Sequence, residues 1–258
     1  MIKKFAVLTL KNFKYGSALS MRLTKLTGKS PYNTHPKHLI GQSENKQWIL
    51  DQIKTTDTVL DIGCNDGSIS LLVAKKCKKL VGVDVDSQIL GIAEKRFKKA
   101  KLKNFELKIV DAEKALPFKA GQFDVVIAID VIEHISNYQK AVEDVFRILK
   151  PKGKFLMAVP NVETSWKRLQ KKYGFFYYSD PDHKIEFTKE QLKKLLTSCN
   201  FMIENMQTTV FDTPLAPLID ILGGFSLPLY QKLSIWKQNY AKSHPKETSG
   251  WKVVCSKT

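Results

Sequence analysis

Acidic residues are missing from the start of this chain: its first 43 positions hold eight basic side chains (Lys3, Lys4, Lys11, Lys14, Arg22, Lys25, Lys29, Lys37) and no Asp or Glu. Cysteine is sparse. Cys64, Cys77, Cys199 and Cys255 stand far apart with no CxxC spacing, which excludes a zinc ribbon and a disulfide framework and points to a reducing compartment. A long apolar run is absent too. Phe5 to Leu10 is too short for a secretory signal core and is followed by no small-residue cleavage pattern. The weakly polar stretch from Thr213 to Tyr230 is broken by Asp220, by Pro214, Pro217 and Pro228, and by Gly223-Gly224, which argues against a spanning helix. A cytoplasmic protein is therefore expected. Repeats and low-complexity tracts are absent.

What is present is the composition of a globular protein: 258 residues, 43% hydrophobic and 26% charged, enough to bury a full core. The organisation expected is a basic N-terminal extension over residues 1–42 and one domain over 43–258, with a lid or insertion at about 211–249. The formal net charge of +17 has two readings. It steers an anionic partner, or it reflects solvated lysine-rich helix faces, the natural reading for Lys75 to Lys79 and Lys95 to Lys99.

From residue 57 onward, β-branched runs alternate with helical patterns, the signature of βαβ units and a mostly parallel sheet. Strands are expected at about 57–62, 79–84, 105–110, 123–129 and 153–159, with two late strands at about 201–210 and 251–256. Helices are expected at about 67–76, 87–99 and 137–149, with one opening at Ser43-Glu44 and another at Thr188-Lys189-Glu190-Gln191. Pro151-Lys152-Gly153 reads as a helix stop and a turn.

The first strand runs into Val59-Leu60-Asp61-Ile62-Gly63-Cys64-Asn65-Asp66-Gly67, a glycine-bearing strand-to-helix turn where backbone can approach a ligand. This is not GxGxxG. Asp61 and Asp66 would put negative charge beside a pyrophosphate, so a cationic ligand suits the turn better. Asp84 ends the second strand, where a carboxylate can accept both hydroxyls of a ribose, and Asp111 ends the third within reach of an adenine amino group. Any one of these acids alone reads as a helix or turn cap; four after successive strands share the ligand-binding edge.

VLDIGCNDGS, VGVDVD, VDAEKALPF, FDVVIAIDVIEHI and RILKPKGKFLMAVPN resemble the successive motifs of class I S-adenosylmethionine-dependent methyltransferases, over about residues 43–210. The resemblance implies a Rossmann-like, doubly wound α/β fold with a seven-stranded sheet, mostly parallel, the last strand antiparallel. It also implies S-adenosyl-L-methionine as cofactor, with Asp61 and Gly63 near the methionine portion, Asp84 on the ribose, and Asp111 with Ala112 at the adenine. Cys64, Asp66, Gly67, Val85 and Asp130 complete the cofactor-binding set. Asn65 stands where a middle glycine is common in that family.

Two further features bear on the methyl acceptor. In Asp130-Val131-Ile132-Glu133-His134, positions i, i+3 and i+4 share one face of a helical turn, and His183 downstream can complete a mixed oxygen and nitrogen donor set. This resembles metal-assisted O-methyltransferases of the ubiquinone-biosynthesis type and the small-RNA 3′-terminal 2′-O-methyltransferases. A divalent ion (Mg²⁺, Mn²⁺ or Zn²⁺) on Asp130, Glu133, His134 and His183 is one reading. The other is metal-free, with His134 as general base or pocket residue and Glu133 beside it. Elsewhere, Trp166-Lys167-Arg168, Lys171-Lys172-Tyr173 and Phe175 to Tyr178 interleave base and aromatic as a single-stranded RNA platform would. Leu215, Leu218, Ile219, Leu222, Phe225, Leu227 and Leu229 suit a lipid acceptor at an anionic membrane surface, or plain core packing. The acceptor expected first is a small molecule or a lipid-linked one, and RNA second; a catalytically silent cofactor-binding scaffold is the third reading.

Overall fold

The computed structural model of the chain describes residues 16–31, 33, 35, 36, 39 and 44–258. In chain order the elements are α1 (Gly16–Leu26), α2 (Glu44–Leu50), β1 (Thr58–Ile62), α3 (Ser70–Ala74), β2 (Lys79–Asp84), α4 (Ser87–Lys99), β3 (Phe105–Ile109) and β4 (Phe123–Ile129). They continue with α5 (Tyr138–Ile148), β5 (Leu149–Pro160), α6 (Ser165–Lys172), α7 (Lys189–Ser198), β6 (Phe201–Thr208), α8 (Ala216–Phe225), α9 (Leu227–Ser243) and β7 (Gly250–Lys257). Most of the basic N-terminal block, including Lys3, Lys4, Lys11, Lys14 and Lys37, lies outside the described residues.

The seven strands form one sheet in the order β3-β2-β1-β4-β5-β7-β6. β1 pairs in parallel with β2 and β4, β2 with β3, and β4 with β5. β7 enters between β5 and β6 and runs antiparallel. The fold is the Rossmann-like one that the motifs implied. Chain order reverses direction at β1, so the loops leaving β1 and β4 flank the crevice where such sheets bind ligands.

Both faces of the sheet are covered, because neighbouring residues on a strand feed opposite cores. Leu60, Val81, Val126 and Ala128 join one cluster, while Val59, Leu80, Val125 and Ile127 join the other. That is why the central strands read as continuous apolar runs rather than as alternation. The helices carry their own start signals. Asp86 caps α4 by accepting from the Gln88 and Ile89 N–H groups, and Thr188 with Gln191 forms a reciprocal capping box on α7.

Helices α1 and α6 were not expected from the sequence, and the structure departs from the expectations at three further points. α3 covers Ser70–Ala74 rather than 67–76, because Gly63, Asn65 and Gly67 all adopt positive φ and the turn ends only beyond them. β5 starts at Leu149 and absorbs Pro151-Lys152-Gly153, with Lys152 at φ 61° and a shifted register opposite Phe123 and Val125. The stretch 211–249 contains two helices. Pro217 and Pro228, read from sequence as breakers, sit in the first turns of α8 and α9, where a missing N–H costs nothing.

The described residues form two compact units. One comprises 46–161, 179–207 and 251–258 and carries the sheet; the other comprises the described residues up to Asn45, 162–178 and 208–250 and is mainly helical. In the helical unit, α1 packs on α8 where glycine leaves room: a Cβ on Gly224 would lie 2.5 Å from Leu23 Cβ. The Thr27 hydroxyl donates to the Gly224 carbonyl at 2.8 Å. No helix of the described residues is long and apolar enough to cross a membrane.

Candidate functional site

A cleft of about 440 Å³ opens in the sheet unit beyond the carboxyl ends of β1 to β4. Gly63 and Asn65 line it after β1, Asp84 and Val85 after β2, Asp111 and Ala112 after β3, and Asp130, Val131 and His134 after β4. Gly63 sits at φ 68°, and a Cβ there would come within 2.5 Å of Val131 Cγ2. Only glycine lets the two loops close on each other at this point.

Asp84 is held by backbone. Asn65 N–H donates to its Oδ2 at 2.9 Å and Asp86 N–H to its Oδ1 at 3.1 Å. Two of the carboxylate's roughly four lone-pair sites are thus used for orientation, and the others remain for a ligand. Asp111 is tied more loosely, accepting from Glu113 N–H at 3.0 Å with Lys114 Nζ 3.5 Å away.

Four residues of the expected cofactor set do not line this cleft: Asp61, Cys64, Asp66 and Gly67. Asp61 is buried and accepts the Ser70 hydroxyl. Burial pushes its carboxyl up to about 7, against the pull of the Ser70 hydrogen bond and with the Asp84 charge adding to the rise. Burial likewise raises the Cys64 thiol, with Asp61 and Asp84 adding, so the sulfur stays protonated. Asp66 pairs with Arg96 at 2.8 Å and accepts from Ser68 N–H, fastening the turn to α4. A Cβ on Gly67 would lie 2.8 Å from the Phe97 ring. Sequence reasoning passed over Asn65, Val131, Val110, Ile135 and Glu113, all of which line the cleft. Apolar residues at strand ends read as core, and only the tolerance of asparagine for positive φ hinted at Asn65.

At the mouth of β4 the backbone turns sharply, with Asp130 at φ 55° and Ile132–His134 forming a single 3₁₀ turn. Glu133 is buried, and its Oε2 has no hydrogen-bond partner. Burial pushes its carboxyl up to about 8, the charges of Asp130 and Glu186 adding, while a backbone hydrogen bond opposes the shift. The segment bearing His183 is laced to this turn: Lys184 N–H donates to the Glu133 carbonyl at 2.8 Å and Ile185 N–H at 3.3 Å. The His134 and His183 rings meet edge to face with centroids 4.7 Å apart. His183 Nδ1 lies 2.9 Å from Oε1 of the buried Glu186, which leaves Nε2 as its second donor atom. One ligand atom each from Glu133, His134 and His183 falls within 4.8 Å of the other two; Asp130 is not part of that cluster.

This strand order, with nucleotide-sized space beyond β1 and β2 and an acid of the cleft after each of β2, β3 and β4, defines a Rossmann-like methyltransferase fold. The chain belongs to the methyltransferase domain family, whose profile matches residues 53–209, and S-adenosylmethionine is that family's cofactor. It is similar to a demethylmenaquinone methyltransferase of Leptospira interrogans, 37% identical over 124 residues, which is 46% of this chain and 49% of the relative. It is also similar to a ubiquinone biosynthesis O-methyltransferase of Coxiella burnetii, 29% identical over 127 residues, covering 49% of this chain and 53% of the relative. The match thus spans about half the length of these relatives. Among solved structures, a SAM-dependent methyltransferase from Aquifex aeolicus superposes with a TM-score of 0.56 over 86% of this chain and 97% of that one, at 14% identity. That likeness concerns the fold.

Proposed function

We propose that this chain is an S-adenosylmethionine-dependent methyltransferase that methylates an oxygen of a small-molecule or lipid-linked acceptor. The observation that carries the reading is the double membership of His134, which lines the cofactor-sized cleft and also belongs to the Glu133 and His183 cluster. Donor site and acceptor chemistry then share one residue. In the cleft, Asp84 would hold the ribose hydroxyls, Asp111 and Ala112 the adenine, and Gly63 with Asp130 the methionine portion. Asp61 and Asp66 would act from behind by fixing the turn. The relatives named for demethylmenaquinone and ubiquinone support an oxygenated, ring-bearing acceptor.

In the reaction, an acceptor oxygen attacks the sulfonium methyl in line. The S–CH₃ bond breaks with its electron pair passing to sulfur, the O–CH₃ bond forms, and the hydroxyl proton passes to the His134 imidazole. Glu133, His134 and His183 also fit a divalent cation. The Glu133 Oε2 is buried without a partner, and Glu186 fixes His183 as carboxylates fix metal-binding imidazoles. Such an ion, when bound, would lower the pKa of an acceptor hydroxyl. His134 could not then both ligate through its free nitrogen and take the proton, so the two readings separate in experiment. Incubation with methyl-labelled S-adenosylmethionine and fractionated small-molecule, lipid and RNA extracts tests the acceptor class. Label in the small-molecule or lipid fraction supports the proposal, and label in RNA overturns it.

A further inference from the structure

The helical unit presents a feature that neither the cofactor cleft nor the histidine cluster uses. α8 reads APLIDILGGF, and its single charged residue, Asp220, faces inward to His35 Nε2 at 3.2 Å and the Tyr230 hydroxyl at 3.1 Å. Its inner face is made of Ile219 and the two glycines, with Gly223 against Pro36 and Tyr230 and Gly224 against Leu23. The bulky residues point the other way. Leu215, Leu218, Leu222 and Phe225 are exposed at 49, 39, 42 and 59%, and their spacing of three, four and three places them on one stripe. Leu229, 41% exposed, extends the series into α9, where Ile235 and Trp236 are exposed as well. An ordinary surface helix turns its polar side outward; α8 has no polar side to turn.

Charge selects what covers this stripe. The described residues of the helical unit include eleven basic and five acidic side chains, an excess of positive charge. Among them, Arg22, Lys25, Lys171, Lys172, Lys232 and Lys242 are exposed. A second copy of the chain would bring two such cationic surfaces together, which charge opposes. An anionic bilayer offers a hydrocarbon boundary for the leucines and phosphates for the lysines.

We infer that the exposed stripe of α8 and the start of α9 is a monotopic docking face, inserting shallowly into an anionic lipid surface and held there by the helical unit's positive charge. The inference is independent of the acceptor proposed above, since it uses no residue of the cleft. Flotation of the full chain with phosphatidylglycerol-containing vesicles and with pure phosphatidylcholine vesicles tests it, alongside a variant carrying Leu222→Ser and Phe225→Ser. The wild type should float with the anionic vesicles and not with the neutral ones. The double variant should lose at least about tenfold in vesicle affinity, with its unfolding midpoint and S-adenosylmethionine affinity unchanged. Absence of flotation overturns the inference, as does equal flotation of the variant, which would mean attraction by charge alone. A wild-type dimer in solution that the variant dissociates would assign the stripe to a second copy and overturn it equally.

Discussion

At Asp61 burial and chemistry pull against each other. Its carboxyl titrates near 7 in the fold against an ordinary 3.8, so the folded chain keeps a proton that the unfolded chain has already lost. The stability that this group contributes is complete below the unfolded value and is lost as the pH rises through about 7. Each pH unit in that window removes at most about 1.4 kcal/mol on its account. Asp61→Asn keeps a neutral partner for Ser70 and should flatten the fall of the unfolding midpoint between about pH 4 and 7; an unchanged slope would place the titration elsewhere. Gly63→Ala adds a Cβ 2.5 Å from Val131 at a positive φ. It should cost about 1–3 kcal/mol in denaturant unfolding and weaken cofactor binding. At this scale the sequence was informative where a residue type is demanding. Gly63, Asp84 and Asp111 announced themselves through strand-end position and chemistry, and all three line the cleft. Asp66 looked the same in sequence but pairs with Arg96, a partner 30 positions away that no local pattern reveals.

At the scale of elements, parallel strands were the most legible, because burial on both faces leaves an unmistakable apolar run. The helices of 211–249 were the least legible, since prolines that begin a helix look like prolines that end one until the flanking geometry is known. The packing of α1 on α8 depends on absent side chains. Gly224→Leu should drive the helices apart and cost about 1–3 kcal/mol by overpacking, read as a lowered denaturation midpoint. The turn at Ile132–His134 and His183 were both marked in the sequence, yet only folding shows the two backbone hydrogen bonds by which Lys184 and Ile185 join that turn at Glu133. His183→Ala should therefore lower turnover by about 10²-fold or more, the scale of a lost acid–base or metal-binding group, with cofactor affinity little changed. A chelator that reproduces the loss would assign the cluster to a cation. One that leaves turnover intact would assign it to His134 as base.

For the whole molecule, family and fold were readable from five motifs in order, because the cofactor end of such a protein is built from strand-end residues of fixed chemistry. The acceptor was not readable, because acceptor sites are made by segments whose sequence follows the substrate and not the fold. The cleft beyond β1 and β2 is proposed to hold S-adenosylmethionine by way of Asp84. Isothermal titration calorimetry on the folded wild type and on Asp84→Ala addresses this most directly. Saturable binding of S-adenosylmethionine is expected, with no comparable binding of NAD and a loss of about 1.5–3 kcal/mol in Asp84→Ala, the worth of a hydrogen-bond partner that bears charge. Unchanged affinity in a folded Asp84→Ala protein, or tighter binding of NAD than of S-adenosylmethionine, would contradict the proposal.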